Sequence, residues 1–470
     1  MRTKIVATIG PATSDLDKVH ALAELGVDVI RLNFAHGTHE AHGRVIRYVR
    51  DASAAVGKPM AVLADLAGPK IRIGSLSSPI ELKEHTTVVL APEEIVAGDE
   101  IPTTYPALAD DVQPGNRVLL DDGLMELRVL EVKHPRVVCR VMRGGLLKDH
   151  KGMNLPGVRV SAPALTEKDI EDLEFALSQD VDYIGLSFVQ SPDDLRRLRE
   201  RLPNHTLIVA KIEKDTALEN IEPILALTDA VMVARGDLGV ELPFEQVPIA
   251  QKRIIQLANL HGRPVITATQ MLESMIENPR PTRAEASDVA NALFDGTDAV
   301  MLSGETAAGK YPFLAVEAMV RIAGEIERTS AFEEGPKYDV PMLHRLRLGA
   351  TPTEHAIAAA TVEAVRLLGA PAVVTFTTTG GTTRLVSSYR PPVPILGVTD
   401  QARTWRQLAL VWGVEPVMCT TEVSYENMLA AAREHLLSRR IAKPGQRVVV
   451  TAGIPFHVRG TTNMLRIEEL

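Results

Sequence analysis

Residues 206–213 read Thr206-Leu207-Ile208-Val209-Ala210-Lys211-Ile212-Glu213. An apolar, β-branched run of this length suits a strand buried on both faces. Its end breaks that pattern: Lys211 and Glu213 stand two apart and so point to one face of the strand. Seven further runs share the character, at 3–10, 27–34, 60–66, 181–188, 230–237, 264–270 and 298–303. Between most of them lie stretches with apolar residues at helical spacing, such as 16–25 and 251–261. Strands alternating with helices imply right-handed parallel crossovers. Eight such units close most simply into a (β/α)8 TIM barrel, with an open doubly wound sheet as the alternative.

The rhythm breaks between the third run and the fourth. Residues 68–157 carry alternating runs (86–90, 117–120, 124–132, 137–142) and turn signals such as Gln113-Pro114-Gly115-Asn116 and Asp121-Asp122-Gly123. They predict a small inserted β-barrel domain. Because the insert leaves after a strand, it emerges on the carboxyl-terminal face of the barrel, where a lid belongs. After residue 326 comes a charged, proline-containing linker, 327–352. A second α/β pattern follows, with a helix at 353–368 and strands at 372–376, 395–398 and 447–451. The expected division is a barrel from 1–67 and 158–335, a lid at 68–157, and a C-terminal α/β regulatory domain at 345–470.

A chain of 470 residues needs more than one core. The net charge of −9 argues against nucleic acid as a partner. No apolar run approaches membrane-spanning length. Cys139 and Cys419 are the two cysteines, far apart, which suits reduced thiols and a cytoplasmic protein. There is no His- or Cys-rich cluster for zinc and no Gly-x-x-x-x-Gly-Lys-Ser/Thr loop.

The polar strand ends form a set. Arg31 and Asn33, Lys211 and Glu213, and Arg235 and Asp237 are spaced to share faces, while Asp65, Ser187, Thr269, Ser303 and Glu305 stand at equivalent ends. Any one alone reads as the first solvated residue of a loop; recurrence on nearly every strand reads as a site. Glu213 and Asp237 are hard oxygen donors suited to Mg2+ or Mn2+, with an ion pair to Lys211 or Arg235 as the structural alternative. Lys211, Arg31 and Arg72 offer charge to an anionic substrate. The Arg235-Gly236-Asp237-Leu238-Gly239 stretch offers backbone amides at a helix start. These parts suit phosphoryl transfer or enolate chemistry, which need no protein nucleophile. Cys139 and Cys419, in apolar strand-like runs, are not convincing as one.

The strings at 3–11 (TKIVATIGP), 31–37 (RLNFAHG), 151–157 (KGMNLPG), 211–213 (KIE), 232–239 (MVARGDLG), 268–275 (ATQMLESM) and 301–306 (MLSGET), with Asp65 and Gly68-Pro69, stand in order at these strand ends. Together they resemble the pyruvate kinase family along essentially the whole chain. The resemblance implies transfer of the phosphoryl group of phosphoenolpyruvate to ADP, giving pyruvate and ATP. It implies Glu213 and Asp237 as metal ligands, Lys211 as the lysine that stabilises the transferring phosphoryl group, and Arg31 as a phosphate-binding arginine. Thr269, Ser187 and the Gly236–Asp237 amides belong to the substrate site, with Thr269 near the enolate carbon that is protonated through water. Asn33, His36, Arg72, Lys151 and Asp121 match positions associated with nucleotide, phosphate and lid closure. A homotetramer and a phosphorylated allosteric effector are also implied. The rival readings are another metal-dependent barrel enzyme acting on phosphoenolpyruvate or an enolate, and a degenerate relative kept as a metabolite sensor.

Two departures bear on ligands. Many relatives need K+ and carry Glu, Thr and Ser where this chain has Lys70, Leu66 and Ala35. A permanent ammonium at Lys70 duplicates the charge K+ supplies, so K+-independent activity is expected. In the C-terminal domain, Thr377, Thr378, Thr379, Gly380, Thr382 and Thr383 follow a strand and precede a helix, an arrangement that suits phosphate or is an ordinary αβ turn. Gly381 stands where some relatives have a basic residue, leaving fructose 1,6-bisphosphate, a sugar monophosphate and AMP all open. Residues 460–463 also match the family, or only shape the last strand.

Overall fold

Inside a closed parallel barrel, alternate side chains of every strand face inward, so a period-two pattern decides what fills the centre. The computed structural model describes residues 1–333, 352–456 and 462–470. Its first eight parallel strands are β1 (Lys4–Ile9), β2 (Val29–Asn33), β3 (Ala61–Asp65), β4 (Tyr183–Leu186), β5 (Leu207–Ile212), β6 (Ala230–Ala234), β7 (Val265–Ala268) and β8 (Ala299–Leu302), and they close in sequence order. Each falls within one of the eight runs anticipated. In β5, Ile208, Ala210 and Ile212 pack outward against the helices, while Leu207 and Val209 join the inner cluster. Lys211 and Glu213 continue the inward phase. The same holds in β2 (Val29, then Arg31 and Asn33) and β3 (Ala61 and Leu63, then Asp65). Inward positions are thus apolar at the amino-terminal ends of these strands and polar at the carboxyl-terminal ends.

The strand expected at 230–237 stops at Ala234, and Arg235–Glu241 is a helix. Arg235 and Asp237 are therefore not a strand pair, and their side chains diverge by the helical turn. Glu305 likewise sits on the short helix Gly304–Ala307.

The insert has a core of its own, from Ile73 to Val160. It closes as the small barrel expected, because residues 71–74 bond both edges of its sheet: Met153 donates to the Ile71 carbonyl at 2.9 Å on one side and Thr104 to the Arg72 carbonyl at 3.0 Å on the other. It forms a six-stranded sheet, with Ile80–Leu82 and Gly145–Leu147 pairing apart as a two-stranded sheet. In the C-terminal domain the helix Thr353–Leu368 is followed by β9 (Val373–Phe376), β10 (Ile395–Thr399), β11 (Val414–Met418), β12 (Arg447–Gly453) and β13 (Thr462–Glu469). Their order is β11-β10-β9-β12-β13, with β13 antiparallel. β11 escaped the pattern because Glu415 and Pro416 interrupt it, as an edge strand allows. Residues 334–351 of the expected linker, and Gly460 and Thr461, lie outside the described residues. Among the described residues no helix is long and apolar enough to cross a membrane.

The C-terminal domain seals the amino-terminal end of the barrel. Ala409 and Leu410 complete the inner cluster of Val6, Val29, Leu207 and Ile266. Around them Tyr183 donates its hydroxyl to the Gln407 carbonyl at 2.6 Å, and Arg406 Nε donates to Asp182 at 2.7 Å. Leu410→Ala opens a void in this plug and should destabilise the protein by about 2–5 kcal/mol. Chemical denaturation followed by tryptophan fluorescence checks this; an unchanged midpoint would show the plug to be idle.

Candidate active site

At the carboxyl-terminal mouth the inward polar residues form one connected chain of charge. Arg31 binds a single oxygen of Asp65 twice, through Nε at 2.7 Å and Nη2 at 2.6 Å, and gives Nη1 to Thr8 Oγ1 at 3.1 Å. The other Asp65 oxygen lies 3.2 Å from Lys211 Nζ. Lys211 in turn donates to Ser187 Oγ at 2.7 Å and to Glu213 Oε1 at 2.9 Å. Ser187 donates its hydroxyl to the Leu66 carbonyl at 2.7 Å, and Glu213 Oε2 accepts from the Phe188 amide. Asp65 and Glu213 are 1 % and 2 % exposed, so these are buried charges and each needs its partner.

The electrostatics follow from that packing. Burial works to raise the Asp65 carboxyl, but Lys211 and Arg31 outweigh it and hold it below the ordinary carboxylate range. Burial works to lower Lys211, yet Asp65 and Glu213 overcome it and leave a firmly charged ammonium. Glu213 goes the other way: burial raises it, Lys211 only partly compensates, and the charge of Asp237 pushes it further up. A buried carboxyl raised by burial and by a neighbouring carboxylate is ready for a cation. Among the described residues no three His, Cys, Asp or Glu side chains form a complete ligand set. Glu213 and Asp237 thus fit a hard divalent ion that keeps water and substrate oxygens in its remaining positions.

Thr269 follows β7 with φ of 69°, and Gln270 with φ of 56°, two left-handed residues that are not glycine. Gly236, at the start of the helix Arg235–Glu241, lies against Thr269: a Cβ added there would sit 2.7 Å from Thr269 Cγ2. The helix start can approach Thr269 this closely only as glycine. Ser303 and Glu305, expected in the ring, serve the backbone instead. Buried Glu305 accepts from the Ser303 amide at 2.7 Å and the Leu272 amide at 3.0 Å.

The residues associated with nucleotide and lid fall in two groups. On the barrel, Asn33 Oδ1 accepts from the Ala35 amide at 3.1 Å, and His36 is exposed. At the root of the insert, Arg72 bridges Gly152 and donates to the His150 carbonyl, while Lys151 pairs with Asp121 at 2.8 Å. Lys70 is exposed, and it lines a small cavity between insert and barrel together with Asp122, Lys214 and Asp237. Glu241 was missed from sequence: it is 4 % exposed, accepts from Asn154 of the insert at 3.0 Å and lies 3.5 Å from Lys214. Its spacing one helical turn after Asp237 was the only available signal.

A cavity of about 590 Å³ lies in the C-terminal domain, lined by Thr377, Thr378, Thr379, Gly381 and Thr382. Thr383 does not face it: it is fully buried, and its hydroxyl meets Thr375 Oγ1 at 2.7 Å. Gly380 shapes the turn with φ of 82° and donates its amide to Thr377 Oγ1 at 2.9 Å. Arg384 and, from the barrel, Arg263 line the same cavity, whereas Gly381 brings no charge to it.

Residues 1–316 match the family model for the pyruvate kinase barrel domain, and residues 355–468 match that for the pyruvate kinase alpha/beta domain. Pyruvate kinase of Geobacillus stearothermophilus is 45 % identical over 474 residues, covering 99 % of this chain and 80 % of that one. Pyruvate kinase of Mycobacterium tuberculosis strain H37Rv is 46 % identical, covering 100 % and 98 %. A crystal structure of a pyruvate kinase from Cryptosporidium parvum superposes with a TM-score of 0.91 at 35 % identity, covering 100 % of this chain and 96 % of that one.

Gly236→Ala should push the helix start, and Asp237 with it, away from Thr269 and lower kcat by about 100-fold, the scale of a misplacement near 1 Å, while the unfolding midpoint moves little. Steady-state kinetics beside a thermal melt test this; retained kcat would mean the close approach is not needed.

Proposed function

The chain belongs to the pyruvate kinase family and is a phosphotransferase, and from that premise we propose how its residues divide the work. The reaction moves the phosphoryl group of phosphoenolpyruvate to ADP, giving pyruvate and ATP. Lys211 and Arg31 bind the phosphate and neutralise charge on its oxygens as it moves. Asp65 and Ser187 keep Lys211 charged and aimed. The Gly236 and Asp237 amides, at the positive end of a helix, receive the substrate carboxylate. Thr269 holds the water that delivers a proton to the enolate carbon. Glu213 and Asp237 hold Mg2+ or Mn2+. Bound there, the ion supplies Lewis-acid stabilisation of the substrate's oxygens.

The observation that carries this reading is the buried Asp65–Lys211–Glu213 chain, which presents a fixed ammonium beside two carboxylates. Asn33, His36, Arg72, Lys151 and Asp121 serve the nucleotide and lid closure, with Lys151 leaving Asp121 for phosphate. The C-terminal cavity takes a phosphorylated effector through Thr377, Thr378, Thr379 and Thr382. Assembly as a homotetramer in the cytoplasm is part of the same reading, and the exposed Phe244 and Ile249 are apolar surface that assembly would cover. A different barrel enzyme on phosphoenolpyruvate has no use for the insert or for the C-terminal domain. Coupled assay of ADP-dependent pyruvate formation, with and without added divalent ion, tests the reaction. Lys211→Ala should lower kcat by at least about 1,000-fold; undiminished turnover would remove Lys211 from its role.

Activity without K+ belongs to this proposal. Leu66 is buried and offers no side-chain oxygen, Ala35 offers none, and Lys70 stands at the cleft that Asp237 lines. Turnover in tetramethylammonium buffer should lie within about twofold of that in K+, and Lys70→Glu should bring K+ activation of about tenfold or more. Strong K+ activation of the unaltered enzyme would sink the idea.

A further inference from the structure

Arg235 looked from its spacing like a strand-end partner of Asp237. Its guanidinium points elsewhere. Nη2 donates to the Thr269 carbonyl at 2.8 Å, and Nε lies 3.2 Å from the carbonyls of both Ala268 and Thr269. The other edge is anchored: Nη1 donates to Asp288 at 2.8 Å, on the helix Arg283–Phe294, and lies 3.3 Å from Gln251 Oε1, on the helix Val247–Leu260. Nη2 is 2.7 Å from the second Asp288 oxygen. Gln251 is held in turn by Asp295 at 3.0 Å. The side chain of Arg235 is 11 % exposed. A planar, permanently charged fork with both edges occupied is a clamp, and lysine cannot reproduce it.

What it clamps is strained. Thr269 and Gln270 are consecutive left-handed residues, a conformation that costs a non-glycine residue free energy and persists only where surroundings impose it. The Thr269 carbonyl is the acceptor that fixes that turn, and Gly236, next to Arg235, closes on the Thr269 methyl from the other side. Arg235 and Gly236 together determine where the Thr269 hydroxyl stands.

We propose that Arg235 is a positioning residue for the protonation half of the reaction, holding the Thr269–Gln270 backbone so that the Thr269 hydroxyl sets the protonating water against the enolate carbon. This rests on the reading of Thr269 given above. In that half-reaction the enolate's C=C pair forms a C–H bond with a proton from water, its oxygen becomes the ketone, and solvent replaces the proton. Phosphoryl transfer depends on Lys211, Arg31 and the metal carboxylates, none of which Arg235 touches.

Two rates therefore separate in variants of the full-length enzyme: ATP formation from phosphoenolpyruvate and ADP, and exchange of the pyruvate methyl hydrogens for deuterium in D2O with divalent ion and ATP, read by proton NMR. Arg235→Lys keeps the pair with Asp288 but loses the fork. It should slow exchange about tenfold or more while ATP formation falls less than about threefold. Asp288→Asn, which frees the far edge of the guanidinium, should slow exchange by about threefold without changing Mn2+ affinity. Exchange and ATP formation falling in step, or exchange unchanged in both variants, overturns the proposal. Thr269→Val separates the two layers. If it leaves exchange intact, the role of Thr269 fails. If it slows exchange and the Arg235 and Asp288 variants do not, only the clamp fails.

Discussion

Two cations and two carboxylates buried in the mouth of the barrel constrain everything around them. Arg31, Asp65, Lys211 and Glu213 alternate in sign along one hydrogen-bonded chain, and each offsets the desolvation of the next. Any one of them missing leaves a buried charge uncompensated, so the set is all or nothing. The chain also explains why the rest of the barrel is so apolar. Inward positions below it hold Val6, Val29, Leu63 and Val209, and their far end is closed by Ala409 and Leu410. Water is kept from reaching the charges from beneath, and a preorganised ammonium in such surroundings does more for a moving phosphoryl group than one in solvent.

Most of this chain of charge was legible in the sequence because strand geometry is simple. A period of two carries Leu207, Val209, Lys211 and Glu213 to one face, and no tertiary information is needed to say so. The same rule misled at Arg235 and Asp237, where the strand had already become a helix. A strand end and a helix start look alike when both follow an apolar run, and the glycine at 236 served close approach to Thr269 as well as helix initiation. Partners distant in sequence were illegible. Arg235 finds Asp288 53 positions away, and Leu410 finds the barrel from another domain. That the sheet of the insert closes did not follow from alternation, which marks strands but not how their edges meet; the closure is made by residues 71–74, bonded to both edges.

The site also separates strain from charge. Thr269 and Gln270 carry the unfavourable backbone, whereas Arg31, Asp65 and Lys211 sit on β2, β3 and β5, with Glu213 just past the end of β5, and none of them has a left-handed backbone. Strain at a reactive position persists only if neighbours over-determine it. Here a guanidinium holds the carbonyl and a glycine admits the methyl. A loop left to itself would relax, and the hydroxyl would drift by the ångström that matters to a reacting atom.

The two ends of the barrel are joined by continuous structure. Thr378, at the C-terminal cavity, accepts through its carbonyl from Thr404 at 2.8 Å. Thr404 lies on the helix Ala402–Gln407, whose Arg406 grips Asp182. β4 starts at the next residue, Tyr183, and runs to Leu186, and Ser187 beyond it accepts a hydrogen bond from Lys211. Such a path is one of two requirements for coupling; the other is an element with two arrangements that both sites bias. Helix Ala402–Gln407 is the natural place for it. It is short, it bears the cavity contact and the grip on Asp182, and it leads directly into the plug formed by Ala409 and Leu410. Movement there cannot leave the bottom of the barrel unchanged, because the helix runs straight into the Ala409 and Leu410 that close it.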